Sequence, residues 1–435
     1  MGDTIARTGV GERGAVPHWR RRAWALRALG HCASFEVAFA LFVCAGAYKA
    51  FPPFSSFPVD ITLLTAVISM ASGGYLVARR RVVLQRGWYT VPLLMAALGA
   101  WMLVSLLWTS DVDAGIYKAA YLLTASLWSL AGAVIIAHQH ERTVRFLWTQ
   151  FVISWGPYIG YRYLFGSLVL PETVDLGYLN ISQMTGVGFV IAITYTLWGV
   201  GHPLGRMVLL GLSGLLFQGL MQFGGRGPLV AAAAIPLVIC LRAPIRRRGA
   251  EVRVPKGVLI TALVVALGIP LVAAQWSGGG GRQNTTLVRL AFARSSGFGG
   301  RMSLYHRAWN LIGERPLLGF GVSGFHRASG VGAEYPHNVF LEAACEVGVP
   351  GLLLAVALFG YPVWLAARNA RGSLDPTDCA VMGILVYLLV QSMKSGDVAS
   401  CRHLYSAMGL AAIRFRAPRT SAGGVPGDSA GDPRH

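Results

Sequence analysis

Long apolar runs alternate with short polar joints along this chain, and the joints carry most of its charge. Runs near 33–50, 59–78, 88–108, 118–137, 146–166, 185–200, 207–223, 228–241, 257–274, 349–367, 379–394 and 404–415 each predict a helix. Most approach the roughly 20 residues needed to cross the hydrocarbon of a bilayer. The pattern predicts an all-α polytopic integral membrane protein with about twelve transmembrane helices. Basic clusters orient it: Arg79-Arg80-Arg81, and the 242–256 stretch with Arg246, Arg247, Arg248 and Arg253, mark cytoplasmic joints. Parity then divides the chain into a cytoplasmic tail over 1–32, nine spans over 33–274, one large outer loop over 275–348, and three spans over 349–415. A Ser/Gly/Pro-rich tail over 416–435 is expected to be disordered and cytoplasmic.

Composition agrees with this layout. With 54% hydrophobic and 13% charged residues, and a mean hydropathy of +0.52, a soluble multidomain enzyme is excluded. The net charge of +19 is spread over the joints as the positive-inside rule requires, so no nucleic-acid partner is expected. The six cysteines show no metal spacing and mostly sit in apolar runs. Pairing of Cys345 with Cys401 stays open, because nothing in the sequence fixes their distance.

The large polar interval holds the most distinctive text. Arg301 to Trp309 predicts a short helix that Pro316 stops, and Gly319 and Gly321 turn the chain. A second helix is predicted from Pro336 to about Gly348, with Pro350 beyond it, which places His337 at a helix N-terminus. There the macrodipole and nearby arginines disfavour the imidazolium, and a neutral imidazole suits a general base.

Four fragments in this order, Arg301 with Arg307-Ala-Trp309, Glu314-Arg-Pro-Leu-Leu-Gly-Phe-Gly321, Tyr335-Pro-His-Asn-Val-Phe-Leu-Glu342 and Glu346-Val-Gly-Val-Pro-Gly351, resemble the O-antigen ligase and polymerase superfamily of bacterial envelope glycosyltransferases. The motif spans about fifty residues; elsewhere the likeness is one of hydropathy and layout. The resemblance implies a GT-C-like, metal-independent and cofactor-free glycosyltransferase of the bacterial inner membrane, its active site facing the periplasm. The donor it implies is an undecaprenyl-pyrophosphate-linked glycan, the acceptor a sugar hydroxyl of lipid A-core, and the surroundings membrane lipids. An O-antigen polymerase and a protein O-oligosaccharyltransferase belong to the same expectation. An anion transporter is the alternative from another class.

The resemblance makes His337 the catalytic base and gives Arg226 and Arg301 the lipid pyrophosphate. Guanidinium matches phosphate oxygens bidentately and keeps its charge. Arg162, near the end of a span, either joins them or pairs with Glu172 or Asp175. Tyr305, one turn beyond Arg301, Asn338 beside His337, and Asp397 between the last two spans are supporting candidates. Glu342 and Glu346 are expected to fix the His337 helix against loop arginines. Asp111-Val-Asp113 resembles a metal site in outline, but no further ligand lies close in sequence, so no metal is assigned to it.

Overall fold

The computed structural model describes residues 33–49, 54, 57–79, 82, 87–160, 178–199, 201–223, 225–242, 298–369 and 375–416. The elements are α1 (Phe35–Tyr48), α2 (Ile61–Ala78), α3 (Thr90–Ser105), α4 (Val112–Tyr121), a π turn (Leu122–Ser126), α5 (Leu127–Ala137), α6 (His140–Ile159), α7 (Tyr178–Trp198), α8 (Pro203–Gln222) and α9 (Arg226–Arg242). They continue with α10 (Phe298–Glu314), α11 (Gly324–Ser329), α12 (Val339–Asn369), α13 (Pro376–Ser395) and α14 (Arg402–Arg414). Every described element is helical. Helices stand at eleven of the predicted positions; the twelfth, 257–274, lies outside the described residues, as do Arg162, Glu172 and Asp175.

Six stretches are long and apolar enough to cross a membrane: Ile61–Ala78, Val112–Ala137, Leu179–Trp198, Pro203–Gln222, Val339–Asn369 and Pro376–Ser395. Phe35–Tyr48 and Thr90–Ser105 are apolar but shorter. The protein is therefore a polytopic membrane protein by composition and by structure. Val112–Ala137 departs from expectation at its start. The apolar run predicts a helix from 118, whereas Asp111 caps one from Val112 by accepting from the Ala114 amide at 3.3 Å.

The core lies where α1, α5, α6, α7, α13 and α14 meet, around Phe39, Phe146, Phe189, Leu130 and Tyr405, all fully buried. Helix α2 behaves oppositely: Leu63, Val67 and Ile68 are 61%, 56% and 50% exposed, the mark of an apolar face turned to lipid. Ion pairs tie one end of the bundle, where Arg414 bridges Asp375 and Asp378 and Arg142 meets Glu36. Because α1 and α14 run antiparallel, the starts of α14 and of the His337 segment gather at the other end.

Candidate active site

Backbone geometry explains the motif fragments. Arg315 to Gly321 folds back onto the Cys345–Val349 stretch, with the Phe320 amide donating to the Cys345 carbonyl at 3.0 Å and the Val349 amide to the Pro316 carbonyl at 3.0 Å. Gly348 adopts φ +67° and ψ −165°, which breaks α12 into an upper and a lower helix. A Cβ on Gly348 would stand 2.2 Å from the Leu317 carbonyl, and one on Gly319 (φ +67°) would stand 2.5 Å from that of Glu346. Only glycine meets both demands. Helix α3 and the segment after it fasten the fold-back from the other side: Trp101 Nε1 donates to the Val347 carbonyl at 2.8 Å, and Thr109 Oγ1 to that of Val322 at 2.7 Å.

His337 does not begin a helix as the sequence predicts. It sits at φ +59°, and α12 starts two residues later at Val339. Asn338 is the capping residue, its Oδ1 accepting from the amides of Phe340 (3.0 Å) and Leu341 (3.2 Å). Pro336 suits a first helical turn only in isolation; an Asn followed by an apolar run competes for the cap, and here the Asn prevails. A non-glycine residue held at positive φ is strained, and such strain persists where surrounding packing fixes it. The packing includes Tyr335, whose ring meets the His337 ring edge-on, centroids 4.6 Å apart.

The half-buried His337 stays neutral for reasons other than a helix dipole. Burial lowers its pKa first and the Arg301 charge second, while Asp397 and Glu334 pull it back upward. Its Nδ1 is buried and has no hydrogen-bond partner among the described residues. Arg301, on α10, donates from Nη2 to Ser395 Oγ at 3.3 Å, and no carboxylate lies within ion-pair distance among the described residues. Tyr305 donates to the Met393 carbonyl at 3.2 Å, docking α10 on the end of α13. Arg226 opens α9, and its neighbour Gly227 packs against Gln391 and Lys394 of that same end of α13. The end of α13 thus gathers the backbone bearing Arg226 and the Arg301 side chain.

Asp397 turns the loop after α13 by accepting from the Ala399 and Ser400 amides, both at 2.8 Å. Asp111, besides its capping role, pairs with Arg327 at 3.3 Å. Glu342 and Glu346 are buried, but against Lys118 of α4 rather than against loop arginines; the Lys118–Glu346 distance is 2.6 Å. A lysine facing the bundle interior draws carboxylates more strongly than solvated loop arginines do, because both charges must leave water together. They also hold loop backbone: Glu342 accepts from the Val398 amide with its other oxygen (3.0 Å), and Glu346 accepts from that of Ser323 (2.9 Å) with the same Oε2 that meets Lys118. Sequence reasoning passed over Lys118. The available signal was a lone cation inside a 26-residue apolar stretch, which demands a buried partner. Cys345 and Cys401 are both free thiols. A cavity of about 1040 Å³ adjoins this constellation, with Lys118, Tyr335, Asp397 and Arg402 in its walls.

Helical spans surrounding a polar constellation fastened by buried ion pairs define a membrane-embedded protein with a site at one end of its bundle. Residues 211–356, which include Arg226, Arg301 and His337, match the family model described as O-antigen ligase. Among curated proteins, the exopolysaccharide production protein ExoQ of Rhizobium meliloti (strain 1021) is 27% identical over 249 residues, covering 52% of this chain and 54% of the relative. The chain thus spans about half the length of the curated relative it matches. Over these residues the chain is similar to O-antigen ligase/polymerase-family proteins.

Proposed function

We propose that this protein transfers a glycan from a polyprenyl pyrophosphate to a sugar hydroxyl, acting as an O-antigen ligase with lipid A-core as acceptor. The observation that carries the reading is the buried, unpartnered Nδ1 of His337, a ring whose pKa burial and the Arg301 charge lower. A lone pair so held accepts a proton from a hydroxyl, which is the step a general base performs. The acceptor oxygen attacks the anomeric carbon as His337 takes its proton. The bond from that carbon to the pyrophosphate oxygen breaks, and its electron pair leaves with the pyrophosphate. A single displacement inverts the anomeric configuration. Arg301, free of any carboxylate among the described residues, and Arg226, whose backbone starts α9 beside the end of α13, meet the growing charge on the leaving group. Arginines in this role leave no step that calls for a metal ion. The cytoplasmic membrane as location, with the site toward the periplasm, rests on the basic joints of the sequence.

A second reading has its own support in the relative named as an exopolysaccharide production protein. On that reading the acceptor is a second lipid-linked glycan, and the same His337 and arginines perform the same displacement as a polymerase. Purified protein supplied with undecaprenyl-pyrophosphate-linked glycan and lipid A-core distinguishes the two. Glycan appearing on lipid A-core supports the ligase; lengthened glycan on polyprenyl pyrophosphate alone supports the polymerase. Neither product, with labelled anion flux into proteoliposomes instead, would return the protein to the transporter class.

A further inference from the structure

Arg402, the first residue of α14, is only 8% exposed, yet no carboxylate lies within ion-pair distance of it among the described residues. Its Nη1 donates to the Phe42 carbonyl at 3.0 Å, and the guanidinium lies 5.4 Å from the centroid of the Phe42 ring. Its Nη2 occupies space that a side chain at residue 46 would claim, since a Cβ on Gly46 would stand 2.8 Å away. Partly buried cations are paired by contrast: Lys118 with Glu342 and Glu346, Arg142 with Glu36, and Arg414 with Asp375 and Asp378. A guanidinium has five N–H donors, and removing its charge from water is costly without a counter-charge.

Arg402 stands in the wall of the 1040 Å³ cavity, with Asn180 and Tyr121 also lining it. Three of the four lining carboxylates are engaged elsewhere: Asp60 pairs with Lys49, Asp111 with Arg327, and Asp397 caps its own loop, while the fourth, Glu334, is exposed. Leu63, Val67 and Met70 of α2 form an apolar wall continuous with the lipid-facing surface of that helix. The volume is at the upper end for a small-molecule pocket and far beyond an inorganic anion, so the cavity suits a molecule with an anionic, sugar-bearing head and an apolar anchor. Neither His337 nor Arg301 lines it, but Tyr335, in ring contact with His337, does.

We propose that this cavity receives the acceptor, an anionic glycolipid, and that Arg402 binds an acidic oxygen of its head group. The proposal rests on the reading of His337 and Arg301 as base and donor ligand, and it adds a separate place for the second substrate. Both acceptors considered above are anionic glycolipids, one through lipid A-core phosphates and the other through a pyrophosphate. Arg402→Gln removes the charge, whereas Gly46→Ala keeps it and displaces the guanidinium from its seat.

Binding can be read without turnover in a His337→Ala background in nanodiscs, titrated with lipid A-core, with dephosphorylated lipid A-core, and with undecaprenyl-pyrophosphate-linked glycan. The expected result is an affinity about tenfold or more higher for the phosphorylated than for the dephosphorylated acceptor, a preference that both Arg402→Gln and Gly46→Ala abolish. If the loss falls instead on one of two lipid-linked-glycan sites while the other persists, the anion is the pyrophosphate of an acceptor glycan. Loss of all lipid-linked-glycan binding would overturn the proposal by making the cavity the donor's. Unchanged binding of every probe would also overturn it, leaving Arg402 a packing anchor. Should Arg402→Gln fail to insert, Gly46→Ala decides alone. Absence of transfer in the wild-type protein would defeat the catalytic reading of His337 without altering this binding result.

Discussion

Two charged regions at the same end of the bundle differ in how their charges are met. Between α4 and α12, Lys118 is enclosed by Glu342 and Glu346, and the two carboxylates also hold the amides of Val398 and Ser323. At the end of α13, Arg301 has only a serine hydroxyl, and His337 keeps an unpartnered Nδ1. The first region has its charges paired and spends them on holding two loops, with Glu346 Oε1 left buried and without a hydrogen bond among the described residues. The second has no counter-charge among the described residues, and the proposed function turns on that. A buried charge held against its counter-charge rigidifies its surroundings, whereas one without a counter-charge is costly unless something binds there. Membrane-embedded charge alone therefore does not mark function; the state of its pairing separates scaffold from site.

The largest effect expected from breaking this contrast is on the open side. His337→Ala should lower transfer by about 10²–10⁴-fold, the range for loss of a general base, while lipid-linked donor still binds. Measuring donor affinity beside turnover separates the roles, since lost donor binding would make His337 a ligand. On the closed side, Lys118→Met should cost about 3–5 kcal/mol by leaving two buried carboxylates against no cation. It should show as a lowered melting temperature in detergent; an unchanged one would mean that the network is not a fastener. Arg301→Lys keeps the charge but loses the planar fork, so transfer should fall by about tenfold to a hundredfold with normal membrane insertion. A wild-type rate would reduce Arg301 to an anchor.

A smaller effect tests the electrostatics of His337. The base works when neutral, so activity should fall as the pH drops through its pKa, and burial together with Arg301 places that acid limb below the ordinary histidine range. Arg301→Gln removes a downward influence and should move the limb of the residual kcat/KM profile to higher pH. Asp397→Asn removes an upward influence and should move it lower. Limbs that coincide in all three proteins would mean that His337 is not the titrating base. The smallest effect should come from Asp113→Ala, together with retention of activity in excess EDTA. Activity abolished by EDTA and restored by magnesium or manganese would sink the arginine-only mechanism.

Several features were legible along the chain because they depend on local composition. The apolar runs set the spans, since a backbone in lipid must satisfy its hydrogen bonds within itself, and a helix stands at each described run, although α4 starts ahead of its run. The motif residues His337, Arg226 and Arg301 stood out by resemblance, and Gly319 and Gly348 by their place beside proline and turn residues. Other features needed the tertiary structure because they depend on which surfaces meet. The left-handed His337 is set by Asn338 capping α12 and by the Tyr335 ring, not by the proline before it. Lys118 lies more than two hundred residues from the glutamates that neutralise it, and Arg402 lies 360 residues from the Phe42 carbonyl it reaches. Sequence by itself determined where the membrane-length helices form and which residue types stand in the polar joints between them. Whether a buried charge finds its counter-charge is a matter of long-range packing, and only the fold decided that Lys118 is spent on structure while Arg301 is left open.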